Sequence, residues 1–337
     1  MESTLGNRMY TKLIFTALSL CSVLQLSGCQ NTQSSTKLIA GAFNLSTQVQ
    51  KQFIDRHAPE NVLIHSNVLY QQNPHLHLDI YQPDNIANLA PRPTVVWIHG
   101  GGWVSGSKEH ARGYFKRLAA EGYNVVSVQY QFAPEAIYPT QLHQIDSAMN
   151  FIRQHANEWK IDPNQLYLAG DSAGANMASH YAALVTNPVF AESSNIYPVI
   201  QPNQLKGLIL HCGIYDLASF VNTAPEEIGL IEWGVYNLVQ AYTGDKKDDT
   251  EFLKSISTSS HITKNYPPVF ISGGNKDFLT ETQSMPFVKQ LEATGVPVST
   301  AFYPDSKELL VHEYQFMMGK KASQETFQLT TEFLAKH

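Results

Sequence analysis

The feature that most constrains this chain is a rhythm. From residue 61 onward, short runs rich in Val, Ile, Leu and Tyr alternate with longer segments of helical periodicity. That alternation belongs to a mostly parallel sheet with helices on both faces. Eight strands are expected, at residues 62–70, 76–81, 94–98, 124–130, 165–169, 205–212, 268–272 and 298–303. The first two flank Asn73-Pro74 and read as an antiparallel pair at one edge. Helices are expected at residues 109–121, 138–159, 173–186 and 282–294, each closed by Gly, Asn or Pro. Two stretches break the rhythm, residues 37–57 and residues 216–261, the latter carrying Phe220, Trp233, Tyr236 and Tyr242. Both read as lid material, because inserted segments over the carboxyl ends of strands commonly shape the binding crevice of such sheets.

With 337 residues, 43% of them hydrophobic and 15% charged, the chain can bury the core such a sheet needs. Residues 37–337 therefore read as a single domain, with residues 216–261 as its cap. The formal charge of -6 comes without a long basic run, which excludes an electrostatic footprint for nucleic acid. Of the three cysteines, Cys21 and Cys29 lie ahead of the domain, so Cys212 stands alone and no disulfide framework is expected.

The first residues read as an address. Arg8 and Lys12 precede an apolar stretch, residues 13–26, that is short for a membrane span and suits the core of a signal peptide. Leu26-Ser27-Gly28-Cys29 then resembles the bacterial lipoprotein box, which implies lipidation of Cys29 after removal of residues 1–28. Residues 29–36, polar throughout after the cysteine, read as a tether. Several acyl chains would hold such a protein at a membrane, each buried CH₂ contributing about 0.8 kcal/mol. The expectation is an exported lipoprotein of the bacterial cell envelope. An ordinary secretory signal, cleaved without lipid, is the alternative, and either Met1 or Met9 can serve as the start.

Chemistry enters at two strand ends. Gly170-Asp171-Ser172-Ala173-Gly174 fits the G-x-S-x-G elbow and follows the apolar run Leu166-Tyr167-Leu168-Ala169 directly. Such an elbow strains the serine backbone, and small residues two before and two after let strand and helix approach. The helix starting near Ala173 also turns its free N–H groups toward the reacting centre. An earlier strand ends in His99-Gly100-Gly101-Gly102-Trp103, the triple-glycine loop that faces an elbow of this kind. Bare backbone is needed there, because N–H groups must converge on an oxygen that becomes negative. Gly101, Gly102 and Ala173 are assigned as the oxyanion donors. His99 reads as a structural support for the loop, and Trp103 as either a wall of the site or a packed core aromatic. No P-loop lysine and no dinucleotide fingerprint follows the glycines, and the histidines lack metal-ligand spacing, so no metal or cofactor is expected.

In elbow sheets the chain order is Ser, then Asp or Glu, then His. His312 lies after the last expected strand, where the base belongs, with His261 as a poorer second choice. Asp277 follows the glycine turn that ends the penultimate strand and is the favoured acid, with Asp216 and Asp305 as rivals.

Together with Tyr130-Gln131-Phe132-Ala133-Pro134-Glu135, these two glycine motifs resemble the hormone-sensitive-lipase-like family of bacterial esterases over roughly residue 61 to the end. The resemblance implies an α/β-hydrolase fold and hydrolysis of a small-molecule ester by Ser172, Asp277 and His312 through an acyl-enzyme, with short acyl chains preferred. The chain departs from the family pattern at Gln131 and Phe132, at Gly274-Asn275-Lys276-Asp277, and at His312-Glu313-Tyr314, where the family has His-Gly-Phe. An amide hydrolase of the kynurenine-formamidase-like type shares the loop and elbow and is a second reading. A surface lipoprotein that binds without catalysis is a third.

Overall fold

The computed structural model describes residues 32–88, 90–222 and 229–337. Cys29 and the leader lie outside the described residues. Helix α1 (Thr32–Ile54) comes first, followed by the antiparallel strands β1 (Val62–Gln71) and β2 (Leu76–Pro83). Then come β3 (Arg92–Ile98), α2 (Arg112–Ala120), β4 (Asn124–Val128), α3 (Thr140–Gln154), β5 (Ile161–Asp171) and α4 (Ala173–Thr186). A short α5 (Pro188–Ser194) leads to β6 (Leu205–His211), which opens the cap helices α6 (Leu217–Asn222), α7 (Gly229–Thr243) and α8 (Thr250–Ser255). The chain ends with β7 (Val269–Gly273), a π-helical turn (Thr280–Ser284) running into α9 (Met285–Ala293), β8 (Val298–Phe302) and α10 (Lys321–Lys336).

The eight strands form one sheet in the order β1-β2-β4-β3-β5-β6-β7-β8. β2 pairs antiparallel with β1 and β4, and every other pair is parallel. Side chains alternate between two cores, as the period of two in a strand requires. Val96, Ile98, Val126, Val128, Leu168, Leu208 and Leu210 belong to the core on one face, and Val95, Trp97, Val125, Tyr167, Ala169, Ile209 and Phe270 to the other. α4 is buried along its whole length, which explains why it is apolar all round and made largely of Ala, Gly and Ser.

The N-terminal segment differs from its expectation in one respect. Residues 32–36, read as free tether, already form the first turn of α1, with Ser35 and Thr36 buried. The helix is docked along its length: Ile39 and Ile54 enter the cores, Lys51 Nζ reaches Glu109 Oε2 at 2.9 Å, and a Cβ on Gly113 would overlap the Ile54 carbonyl. α10 was not expected at all. Its buried face is made largely of Ala322, Ser323, Thr326 and Thr330, so it shows no strong apolar stripe.

Candidate active site

Between β5, which ends at Asp171, and α4, which begins at Ala173, stands Ser172 with φ 51° and ψ -120°. A non-glycine residue in such a region costs on the order of 1–3 kcal/mol and persists only where its surroundings fix it. Here they do. Ser172 donates its N–H to the His211 carbonyl at 2.9 Å, and its own carbonyl accepts from Asn176 N at 3.1 Å. The flanking glycines are obligatory: a Cβ on Gly170 would strike the backbone of Gly174, and one on Gly174 would strike the Ile98 carbonyl oxygen.

That last contact brings the two glycine motifs together. β3 and β5 are parallel neighbours with Ile98 opposite Gly170, so the loop that follows Ile98 comes out beside the elbow. Gly101 and Gly102 hold φ of 111° and 60°, and the Gly101 carbonyl accepts from Val104 N, Ser105 N and Ser105 Oγ. Ala173, first residue of α4, has an N–H without an intrahelical partner. His99 supports the loop as expected. Its Nδ1 lies 2.7 Å from the Gly100 carbonyl, its ring stacks on Tyr130 at 4.4 Å, and burial pulls its pKa down to about 4. Trp103 resolves to a core aromatic, fully buried and stacked on Tyr242 of α7. Both segments read as lid reach this loop, since Phe43 of α1 and Leu238 of α7 close over Gly102.

At the far side of the same edge, His312 Nδ1 meets Asp277 Oδ2 at 2.8 Å. The loop carrying each residue is built to bring them there. A Cβ on Gly274 would strike the Leu310 carbonyl, Lys276 N donates to that carbonyl at 2.9 Å, and Asn275 Oδ1 accepts from Leu310 N at 3.1 Å. Asn275 Nδ2 also donates to the carbonyls of Ser306 and Glu308. Asp277 is buried and accepts from Leu279 N at 3.1 Å. Burial works against the imidazolium of His312, but the facing Cys212 sulfur and the Asp277 carboxylate together prevail and hold its pKa well above the ordinary value. Cys212, with φ 42°, brings its thiol against this pair. Burial pushes that thiol up to about 11, so it faces His312 uncharged near neutrality.

The rivals do other work. Asp216 Oδ1 accepts from Ser219 N at 2.8 Å at the start of α6, Asp305 is exposed, and His261 bonds the Ser255 carbonyl while stacking on Phe190. Gln131, where the family pattern has Arg, is held by Gln144, whose Oε1 accepts Gln131 N at 2.9 Å.

Sequence reading missed what stands behind the elbow. Asp171 is fully buried, its Oδ1 accepting from Trp97 Nε1 and its Oδ2 from Gly100 N, both at 2.8 Å. Glu313 and His110 converge on the same point. The signal was present only as the second residue of the elbow and as the departure after His312. Among the described residues, Cys212-Asp277-His312 and His110-Asp171-Glu313 each bring three potential metal donors within 4.8 Å. Asp277 and Asp171 already accept hydrogen bonds from protein donors.

This sheet, with its elbow after β5 and glycine loop after β3, is the α/β-hydrolase fold. The chain belongs to the BD-FAE family, whose model matches residues 78–291. Solved structures agree on the fold. Esterase B from Lactobacillus rhamnosis superposes with TM-score 0.77 over 90% of this chain and 96% of its own, at 22% identity. An esterase from the archaeon Pyrobaculum calidifontis gives 0.70 over 97% of each chain, at 21% identity. Among curated relatives, the esterase LipC of Mycobacterium tuberculosis is 25% identical over 68% of this chain and 55% of its own length. A probable isoprenylcysteine alpha-carbonyl methylesterase of Arabidopsis thaliana is 24% identical over 71% of this chain and 50% of its own. The chain thus spans about half the length of these two curated relatives.

Proposed function

We propose that this protein is a carboxylic ester hydrolase of the hormone-sensitive-lipase-like kind that works through an acyl-enzyme on Ser172. The observation that carries the reading is the Asp277–His312 hydrogen bond at the strand edge where Ser172 stands in its strained turn. His312 takes the Ser172 proton as the hydroxyl attacks the ester carbonyl, and returns it to the departing alcohol. Asp277 fixes the imidazole by its Nδ1 and stabilises the cation formed in between. The N–H groups of Gly101, Gly102 and Ala173 receive the oxyanion, each such donor contributing about 10²–10³ in kcat. Water activated by His312 then clears the acyl group. The names of the relatives, esterases and a methylesterase, support ester over amide as the substrate.

Short acyl chains are the expected substrates, with Phe43 and Leu238 standing against Gly102 of the oxyanion loop. Titration with a phosphonate ester probe is expected to modify Ser172 one-to-one; a protein that stays unlabelled while folded is a binding protein instead. A panel of p-nitrophenyl esters of increasing length is then expected to peak at short chains, and a peak on long chains would refute the size limit. Export and lipidation at Cys29 complete the reading, supported by the basic, apolar and Leu-Ser-Gly-Cys pattern of the leader.

A further inference from the structure

The three segments that carry the proposed chemistry meet again behind it, in a cluster that none of the steps above uses. Asp171 precedes Ser172, Gly100 opens the oxyanion loop, and Glu313 follows His312. Asp171 Oδ2 holds Gly100 N at 2.8 Å, and a Cβ placed on Gly100 would overlap that oxygen while lying 3.2 Å from Glu313 Oε1. The two carboxyl groups therefore meet beside one backbone position, Gly100. His110 completes the cluster, its Nε2 lying 3.9 Å from Glu313 Oε2 and 2.8 Å from Gln50 Oε1 of α1.

What faces this pair matters. His110 comes from the loop before α2, Tyr130 from the end of β4, and His312 from the base loop; Lys51 of α1 acts on His110. The His211 ring lies beyond Trp97. Burial keeps His110 and His211 on the neutral side, the latter down to about 3, and among the described residues no lysine or arginine contacts Asp171. A fully buried carboxylate facing a second carboxyl group without a cation ionises only at high cost. Burial first, and then the Glu313 charge, push Asp171 up to about 7. Glu313 also holds φ 60°, a left-handed position that disfavours a side chain, so its carboxyl is kept here against backbone preference.

We propose that Asp171 keeps its proton while facing the Glu313 carboxyl group, and that this pair is a positioning device that keeps the elbow, the oxyanion loop and the base loop in register until the Asp171 proton is lost. The proton moves only between Asp171 and solvent. The proposal rests on Ser172 and His312 as nucleophile and base, and its test separates the two.

The test compares wild type with Glu313→Gln, which keeps a donor toward Asp171 at every pH, and Glu313→Gly, which relaxes the backbone and removes the carboxyl. The ratio of Glu313→Gln kcat to wild-type kcat is expected to rise about threefold or more between pH 6 and pH 9, with KM within about twofold. Glu313→Gly is expected to lose about tenfold in kcat at pH 6 without a lower Tm. A readout independent of activity accompanies these. Asp171 has its folded pKa raised, so the stability it lends is present below about pH 4 and lost as pH rises through about 7. The urea midpoint of the wild type should fall over that range, and that of Glu313→Gln by less, since burial still acts on Asp171 while the Glu313 charge is gone. A flat kcat ratio, an equal fall in both midpoints, or wild-type kcat in Glu313→Gly overturns the proposal. So does loss of wild-type activity on dialysis against EDTA, since a cation would then balance the pair. Failure of Ser172 to take the phosphonate, with the midpoints behaving as expected, would instead overturn the catalytic reading and leave the protonated Asp171 standing.

Discussion

At the scale of single residues, what separates Asp277 from its rivals is what each carboxylate holds. Asp277 holds an imidazole, whereas Asp216 holds the first turn of a helix. Asp277→Asn is expected to lower kcat by about 10⁴ with folding intact, as loss of the orienting acid does elsewhere. Asp216→Asn should instead cost less than about 1 kcal/mol of stability and leave kcat within about twofold, because the Asn side-chain oxygen still accepts from Ser219 N at the helix start. Titration of both by kcat and urea unfolding checks the pair. The same hydrogen bond dictates the acid limb of the pH profile. With His312 as the proposed base, catalysis needs it neutral, and Cys212 and Asp277 together hold its pKa well above the ordinary value, so activity should fall away on acidification at a pH above that of a free histidine. In stability the sign is opposite: a raised histidine pKa lends stability below about pH 6.5 that is lost as pH rises through the folded value. A rate profile whose acid limb lies at or below 6.5 would contradict the geometry.

Elements explain why the sheet could be read ahead of the site's supports. Strands β3 and β5 announce themselves by unbroken apolar runs ending in glycine, because parallel strands are buried on both faces and their ends must come close to other backbone. Gly174 has to be glycine for a reason visible in the motif itself. The partnership of Asn275 with the base loop leaves no such trace, since residues 35 positions apart meet only through the fold. The same holds for Glu313 against Asp171, and for Phe43 and Leu238 over Gly102. α10 was illegible for a different reason, its buried face being built from small and hydroxyl side chains that look exposed in sequence. Asn275 offers the sharpest test at this scale. It ties the acid turn to Leu310, Ser306 and Glu308, so Asn275→Ala leaves buried backbone groups unpaired and loosens the Asp277–His312 geometry. About tenfold lower kcat and a stability loss of about 1–3 kcal/mol are expected, measured by steady-state kinetics and urea unfolding. Unchanged kcat at reduced stability would make Asn275 a structural residue only.

At the scale of the whole molecule, the site exists only when the sheet does. Residues 99–102, 171–173, 277 and 312 come from four separate βα or terminal loops, and each is held at the same edge by strands that pair in an order different from that of the chain. α1 extends this unit outward, because it docks on α2 and reaches Gly102 through Phe43. Its first residue, Thr32, stands three positions after Cys29, and three residues span at most about 11 Å even when fully extended. If Cys29 carries acyl chains as proposed, the start of α1, and with it the whole domain, is held against the membrane surface rather than on a long leash. Cys29→Ala is therefore expected to shift the protein from the membrane fraction to the soluble fraction, since polar residues 30–36 offer no second anchor. Activity on a water-soluble ester should stay within about twofold, because residue 29 precedes every element that builds the site. Fractionation followed by immunoblotting, with the ester assay on both fractions, reads the two outcomes together. Retention of Cys29→Ala in the membrane fraction would mean that some surface of the folded domain, and not the lipid, holds the protein there.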